Sequence, residues 1–118
     1  MAACHACQEK TIIILHTNDT HSQIEPLEEG KRDEFCGGYA RRMGYIQQMR
    51  NEHPDLIVLD AGDFSQGTPY YNFYHGRIEI DAMNRMQYDA IALGNHEFDY
   101  KLYRNLHFLH QFYLQRRL

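Results

Sequence analysis

Residues of the types that bind metal ions cluster at three points of the sequence. The first cluster contains Asp19 and His21, which form a D-x-H pattern. Residues two apart in an extended chain point the same way, so this pair could address one ion together. Carboxylate oxygen and imidazole nitrogen are common ligands of Zn²⁺ and other divalent transition metals.

Two further clusters follow in order along the chain. Asp63 comes directly after a glycine, and the segment G-N-H-E-F-D contains Asn95, His96 and Asp99. A single pattern of this kind is weak evidence, because chance matches are common. Asp and Asn are also ordinary turn residues, which would explain Asp19, Asp63 or Asn95 taken singly. Three clusters in succession instead indicate one shared site.

The clusters follow elements that would bring them together. Apolar, β-branched runs predict buried strands at 11–15, 55–60 and 89–93, the first of them buried on both faces. Helical spacing predicts a helix over 39–51 and a short one around 78–86. Alternating strands and helices indicate an α/β fold with a parallel sheet. Ligands bind such sheets beyond the carboxyl ends of the strands, where all three clusters lie.

Composition restricts the class of protein. The 118 residues are 43% hydrophobic and 24% charged, with a net charge of -4 and eight histidines. This length suits one domain of about 100–150 residues. The acidic balance argues against a nucleic-acid binder, and no apolar run approaches the roughly 20 residues of a membrane-spanning helix. Several histidines raise the expectation of metal or phosphate chemistry without locating it.

The N-terminal residues 1–10 are predicted to be a tail, followed by a domain over 11–118. Cys4 and Cys7 form a C-x-x-C pair with three readings left open: half of a zinc site, a redox pair or chance. Met1-Ala-Ala-Cys4 also looks like the end of a lipoprotein signal. On that reading Cys4 would carry lipid and the protein would be extracytoplasmic. A frayed tail without a role is the competing interpretation.

The sequence motifs of the three clusters resemble those of a known family. H-T-N-D-x-H, G-D-x-x-Q-G-T-P and G-N-H-E-F-D together resemble the binuclear metallophosphoesterases of the calcineurin-like superfamily, and within them the N-terminal part of the 5′-nucleotidases. The resemblance covers roughly residues 11 to 100, in the family's order. It implies part of the family's α/β sandwich, with about three parallel strands and intervening helices.

The resemblance also implies a role for each residue of the site. Asp19 and His21 would bind a first metal ion, Asp63 would bridge two ions, and Asn95 would bind the second. The cofactors would be two divalent ions, Zn²⁺ or Mn²⁺, of which this chain would hold at most one well. A hydroxide bound to the metals would attack the phosphorus.

The catalytic residues implied by the resemblance are His96 and Asp99. His96 would stabilise the phosphate charge and protonate the leaving oxygen, while Asp99 fixes the tautomer of His96 and favours its charged form. Asn95 and His96 would contact the substrate. That substrate would be a nucleoside 5′-monophosphate or a related phosphomonoester.

The sequence departs from the family pattern after Asp99. A G-H-x-H segment, another histidine and a C-terminal nucleotide-binding domain are expected there, and His107 and His110 do not match them. Residues 101–118 instead carry an apolar stripe at helical spacing. We therefore expect a truncated catalytic domain that could self-associate through an exposed sheet edge. The alternative function is a catalytically incompetent remnant that binds one metal weakly or none.

Overall fold

A computed structural model describes residues 9–30, 32 and 34–99. Its three strands are β1 (Ile14–Thr17), β2 (Ile57–Asp60) and β3 (Ala90–Ile91). They form one parallel sheet in the order β1-β2-β3, with Ile14 opposite Ile57 and Leu59 opposite Ala90. The predicted parallel α/β architecture is confirmed. The predicted N-terminal tail up to residue 8 and the predicted helix over 101–118 lie outside the described residues.

Three α-helices connect the strands. Helix α1 (Tyr39–Glu52) joins β1 to β2, and helices α2 (Pro69–Tyr74) and α3 (Arg77–Arg85) join β2 to β3. A 3-10 helix, His96–Phe98, follows β3. The predictions of α1 and α3 are confirmed, whereas α2 falls in a segment where no helix was predicted. This helix has six residues and begins with a proline at its first turn, a helix-start signal without any apolar periodicity behind it.

The hydrophobic core lies where α1 and α3 meet the sheet. Helix α1 contributes Tyr39 and Ile46, β2 contributes Val58, and α3 contributes Ile80 and Met83. Other buried members of this cluster are Leu56, Phe64, Met86 and Tyr88. The packing fixes the directions of the strands, so their carboxyl ends all lead into the loops that carry the predicted site.

The first predicted strand is not buried on both faces. Ile13 and Leu15 pack against the core, but Ile12 is 64% and Ile14 55% exposed. Successive side chains of a strand point to opposite faces, and among the described residues no layer covers the outer side of β1. This exposed face is compatible with the predicted self-association, which stays a prediction. Within the described ranges, no helix is long and apolar enough to cross a membrane.

Candidate metal centre

The loops that follow β1 and β2 remain hydrogen-bonded to each other beyond the ends of the strands. The backbone N–H of Asp19 donates to the carbonyl of Gly62 at 3.0 Å, and that of His21 donates to the carbonyl of Asp63 at 3.1 Å. One residue further, Ser22 N–H donates to the carbonyl of Phe64 at 2.8 Å. These bonds bring Asp19 and His21, distant in sequence from Asp63, to the same place.

The backbone turns at each of the three candidate ligands. Asp19, His21 and Asp63 have φ angles of 51°, 43° and 51°, in the left-handed region. Asp tolerates this conformation better than most residues, but for any L-residue it costs about 1 kcal/mol or more. Such strain concentrates at functional sites, where surrounding contacts hold the backbone in place.

The three side chains offer a donor set that fits a divalent ion. One ligand atom from each of Asp19, His21 and Asp63 lies within 4.8 Å of the others, and Nε2 of His21 is 3.7 Å from Oδ1 of Asp19. Two carboxylates and one imidazole suit Zn²⁺ or Mn²⁺ and leave coordination positions for further ligands. All three side chains are at least partly exposed to solvent, so an ion could reach them.

The segment after β3 reaches the same site through His96. Its backbone N–H donates to Oδ1 of Asp63 at 3.1 Å, and its ring centroid lies 5.3 Å from that of His21. Nδ1 of His96 is 2.7 Å from Oδ2 of Asp99. This hydrogen bond to Asp99 raises the pKa of His96 above its usual value, although partial burial opposes the shift.

Asn95 lies between two residues that contact Asp63. An ideal Cβ at Gly94 would lie 1.9 Å from Oδ1 of Asp63, and the next residue after Asn95 is His96, which binds the same oxygen. The asparagine side chain is exposed at this edge of the site. The structure thus brings Asp19, His21 and His96 to Asp63, whereas Asp99 contacts His96 and Asn95 is close only as the residue between Gly94 and His96. The assigned roles stay predictions.

Close backbone approach explains a glycine in the loop after β2. An ideal Cβ at Gly67 would lie 2.7 Å from the carbonyl oxygen of His21 and 2.9 Å from its Cβ. Gly67 also has a φ of 125°, which L side chains rarely adopt. The loop can therefore close over His21 only with glycine at this position.

The sequence analysis assigned no role to two buried carboxylates that lie beside the site. Glu97 is 4% exposed and binds the loops after β2 and β3. Glu79, on α3, accepts a hydrogen bond from the hydroxyl of Ser22, the residue after His21. Burial raises the pKa of Glu79. Glu97 stands inside G-N-H-E, so its position was visible, but a sequence does not show which backbone groups a carboxylate will bind.

Asp60 at the end of β2 is a structural residue. Its Oδ2 accepts a hydrogen bond from Thr17 Oγ1 at 2.5 Å, and its Oδ1 accepts one from Gly62 N–H at 2.9 Å. The hydroxyl of Tyr88 is 2.9 Å from the same Thr17 oxygen. Burial raises the pKa of Asp60. This network joins the ends of β1 and β2 immediately before the loops of the metal centre.

A comparison with protein families shows which family has this arrangement of residues. Residues 12–117 match the model of the calcineurin-like phosphoesterases. The chain belongs to this family. The described part is accordingly a portion of the metallophosphoesterase α/β fold, with three parallel strands and intervening helices. His107 and His110 lie outside the described residues.

Individual relatives agree with the family assignment. The chain is 50% identical over 92 residues to the snake venom 5′-nucleotidase of Naja atra and 44% identical over 93 residues to the 5′-nucleotidase of Homo sapiens. These alignments cover 75% of this chain but only 17% and 16% of the relatives. The chain therefore spans about a sixth of the length of these relatives.

Solved structures of nucleotidases are also similar to this chain. The 5′-nucleotidase precursor of Thermus thermophilus is similar with a TM-score of 0.69 and 43% identity, covering 75% of this chain and 18% of that one. The NAD nucleotidase of Haemophilus influenzae is similar with a TM-score of 0.73 and 31% identity, covering 86% and 19%. Both likenesses concern a limited part of a larger molecule.

Proposed function

We propose that this chain forms part of the catalytic site of a metal-dependent phosphomonoesterase that hydrolyses nucleoside 5′-monophosphates or related nucleotides. The observation that carries the proposal is the convergence of Asp19, His21 and Asp63 at one point, with the His96–Asp99 pair beside them. Membership of the calcineurin-like phosphoesterases supports the reaction class. The nucleotide substrate is supported by similarity to 5′-nucleotidases and to a NAD nucleotidase.

The donor chemistry indicates which residues would hold the ions. Asp19, His21 and Asp63 would bind the first ion, and Asp63 would share the second with Asn95. Divalent ions supply Lewis-acid activation of water and neutralise phosphate charge in sites of this class. A carboxylate and an amide oxygen alone hold a transition metal weakly, so the second position needs ligands beyond those of the described residues.

The chain's own contribution to the chemistry centres on His96. Asp99 accepts the hydrogen bond of Nδ1, which fixes the ring orientation and leaves Nε2 as the nitrogen that acts on the substrate. The same bond raises the pKa of His96 and so favours the protonated ring. A charged imidazole beside the metal ligands would stabilise the negative charge of the phosphate and give its proton to the leaving oxygen.

The test compares metal-free and metal-loaded protein. Purified full chain is dialysed against chelator and assayed with an aryl phosphate and with adenosine 5′-monophosphate, before and after addition of Mn²⁺ or Zn²⁺. We expect hydrolysis that requires metal and is lost in Asp63→Asn, because the amide removes the bridging charge. Asp81→Asn is the matched control, since Asp81 is exposed on α3 and its carboxylate lies 3.8 Å from Nε of Arg77 on the same helix.

Either negative result has a definite meaning. Folded protein that stays silent at all metal concentrations would contradict the phosphomonoesterase and favour a catalytically incompetent metal binder. Equal activity of Asp63→Asn and the unmodified chain would show that hydrolysis comes from a contaminant or from another site.

The extracytoplasmic location also stays a proposal. Intact-mass analysis of native protein tests it, because an acylated Cys4 adds the mass of a lipid.

A further inference from the structure

The carboxylate of Glu97 accepts four hydrogen bonds beside the metal centre. Its Oε2 accepts from the backbone N–H of Asp63 at 2.9 Å and of Gly94 at 2.7 Å. Its Oε1 accepts from the backbone N–H of Ser65 at 2.9 Å and from the Ser65 hydroxyl at 2.7 Å. The side chain is 4% exposed, so these bonds replace water almost completely.

These donors belong to two different loops. Asp63 and Ser65 follow β2, whereas Gly94 follows β3, and Glu97 itself lies in the 3-10 helix His96–Phe98. One side chain therefore ties the two loops together at the point where they meet. An ideal Cβ at Gly94 would be only 2.6 Å from the nitrogen of Asp63, so the two loops lie in close contact here.

The donors around Glu97 match the acceptor capacity of a carboxylate. Three backbone N–H groups and a hydroxyl point at the two oxygens, and hydrogen bonds to an ionised acceptor are roughly twice as strong as neutral ones. Among the described residues, no ion pair of Glu97 accompanies them. The carboxylate is therefore held mainly by backbone N–H groups, and one of these hydrogen bonds stabilises the backbone of Asp63.

The backbone of Asp63 needs such support. Its φ of 51° is unfavourable for a residue with a side chain, and its carboxylate must point toward Asp19 and His21 to complete the candidate metal group. Glu97 holds the N–H of Asp63, while His96, the residue before Glu97, donates its own N–H to Oδ1 of Asp63. Both ends of Asp63 are thus fixed by one short segment after β3.

We infer that Glu97 is a positioning residue for the metal centre: its buried carboxylate holds the loops after β2 and β3 together and sets the orientation of Asp63. This inference rests on the proposed metal-dependent function. Glu97 is not one of the three candidate ligands. Groups that orient ligands in this way change metal affinity by about 10–100-fold when they are removed.

The experiment measures Mn²⁺ affinity of the folded full chain by calorimetric titration, together with thermal unfolding. Glu97→Gln keeps the shape but replaces one acceptor oxygen with an NH₂ that faces at least one backbone N–H donor in either orientation of the amide. We expect a 10–100-fold weaker Mn²⁺ affinity. Glu97→Asp keeps both acceptor oxygens on a shorter stem, and we expect it to restore part of the lost affinity.

A control separates positioning from general stability. Asp89 also accepts a backbone hydrogen bond, from Val58 N–H at 2.7 Å, but lies before β3 at the opposite end of the sheet. Asp89→Asn should lower the unfolding temperature and leave Mn²⁺ affinity within about twofold. If Glu97→Gln does not fold, Ser65→Ala removes only the hydroxyl bond, and we expect a few-fold loss of affinity.

The outcomes are distinct from those for the proposed function. If the unmodified chain does not bind Mn²⁺, the metal-dependent function fails and the inference fails with it. If the unmodified chain binds and the folded Glu97 and Ser65 variants bind equally well, only the positioning role is overturned. The role is also overturned if Asp89→Asn weakens binding as much as Glu97→Gln, because the effect would then follow stability alone.

Discussion

Gly94 offers the sharpest test of how closely the loops meet at the metal centre. An ideal Cβ at this position would lie 1.9 Å from Oδ1, 2.5 Å from Cγ and 2.6 Å from the nitrogen of Asp63. Gly94 does not have a positive φ, so its φ angle does not exclude alanine. The effect of Gly94→Ala is therefore steric and falls directly on Asp63.

The size of the effect follows from these distances. Ordinary contact between heavy atoms is near 3.5 Å, so the Asp63 carboxylate or the loop that carries Gly94 must move by roughly 1–2 Å. Overpacking of this kind costs about 1–3 kcal/mol. We expect the free energy of unfolding to fall by about that amount. We also expect the dissociation constant for Mn²⁺ to rise about 10–100-fold, because Asp63 leaves the position from which it would bind the ion.

Gly44→Ala is the matched control for this substitution. Gly44 lies inside α1, and an ideal Cβ there meets nothing within 4 Å. Alanine in a helix interior is about 0.5–1 kcal/mol more favourable than glycine, so this variant should be slightly stabilised with unchanged metal affinity. Urea unfolding and calorimetric Mn²⁺ titration measure both quantities. Unchanged Mn²⁺ affinity in Gly94→Ala would refute the reasoning, because it would mean that Asp63 is not confined by the loop after β3.

Two further predictions concern the buried polar groups behind the loops. Burial raises the pKa of Glu79 above its usual value, so the folded state favours the protonated form and stability falls as pH rises from the unfolded-state pKa through the raised one. Glu79→Gln should flatten this part of the urea-unfolding profile, whereas exposed Glu52→Gln should leave it unchanged. Thr17→Val leaves buried Asp60 without the Thr17 hydroxyl and should cost about 1–3 kcal/mol of unfolding free energy. Exposed Thr11→Val should change it by less than about 0.5 kcal/mol.

The elements that carry the site follow from local patterns. Apolar runs ending before His16, Ala61 and Gly94 indicate strands, because buried strands are rich in apolar residues. The spacing from Tyr39 to Met49 indicates α1 in the same way. Helix α2 was missed because its six residues are too few to show a period, and its aromatic residues have only moderate helix propensity.

The sequence by itself determined the order of the three strands and of helices α1 and α3, the three clusters at the carboxyl ends of the strands, and the family. Each depends on residue types at short spacing, which local rules capture. Only the tertiary structure decided that Asp19, His21 and Asp63 adopt left-handed backbone, and that β1 is covered on one side only. It also decided that Glu97 binds the N–H of a residue 34 positions earlier. Such contacts depend on how separate loops meet once the sheet has formed, and no local pattern encodes that geometry.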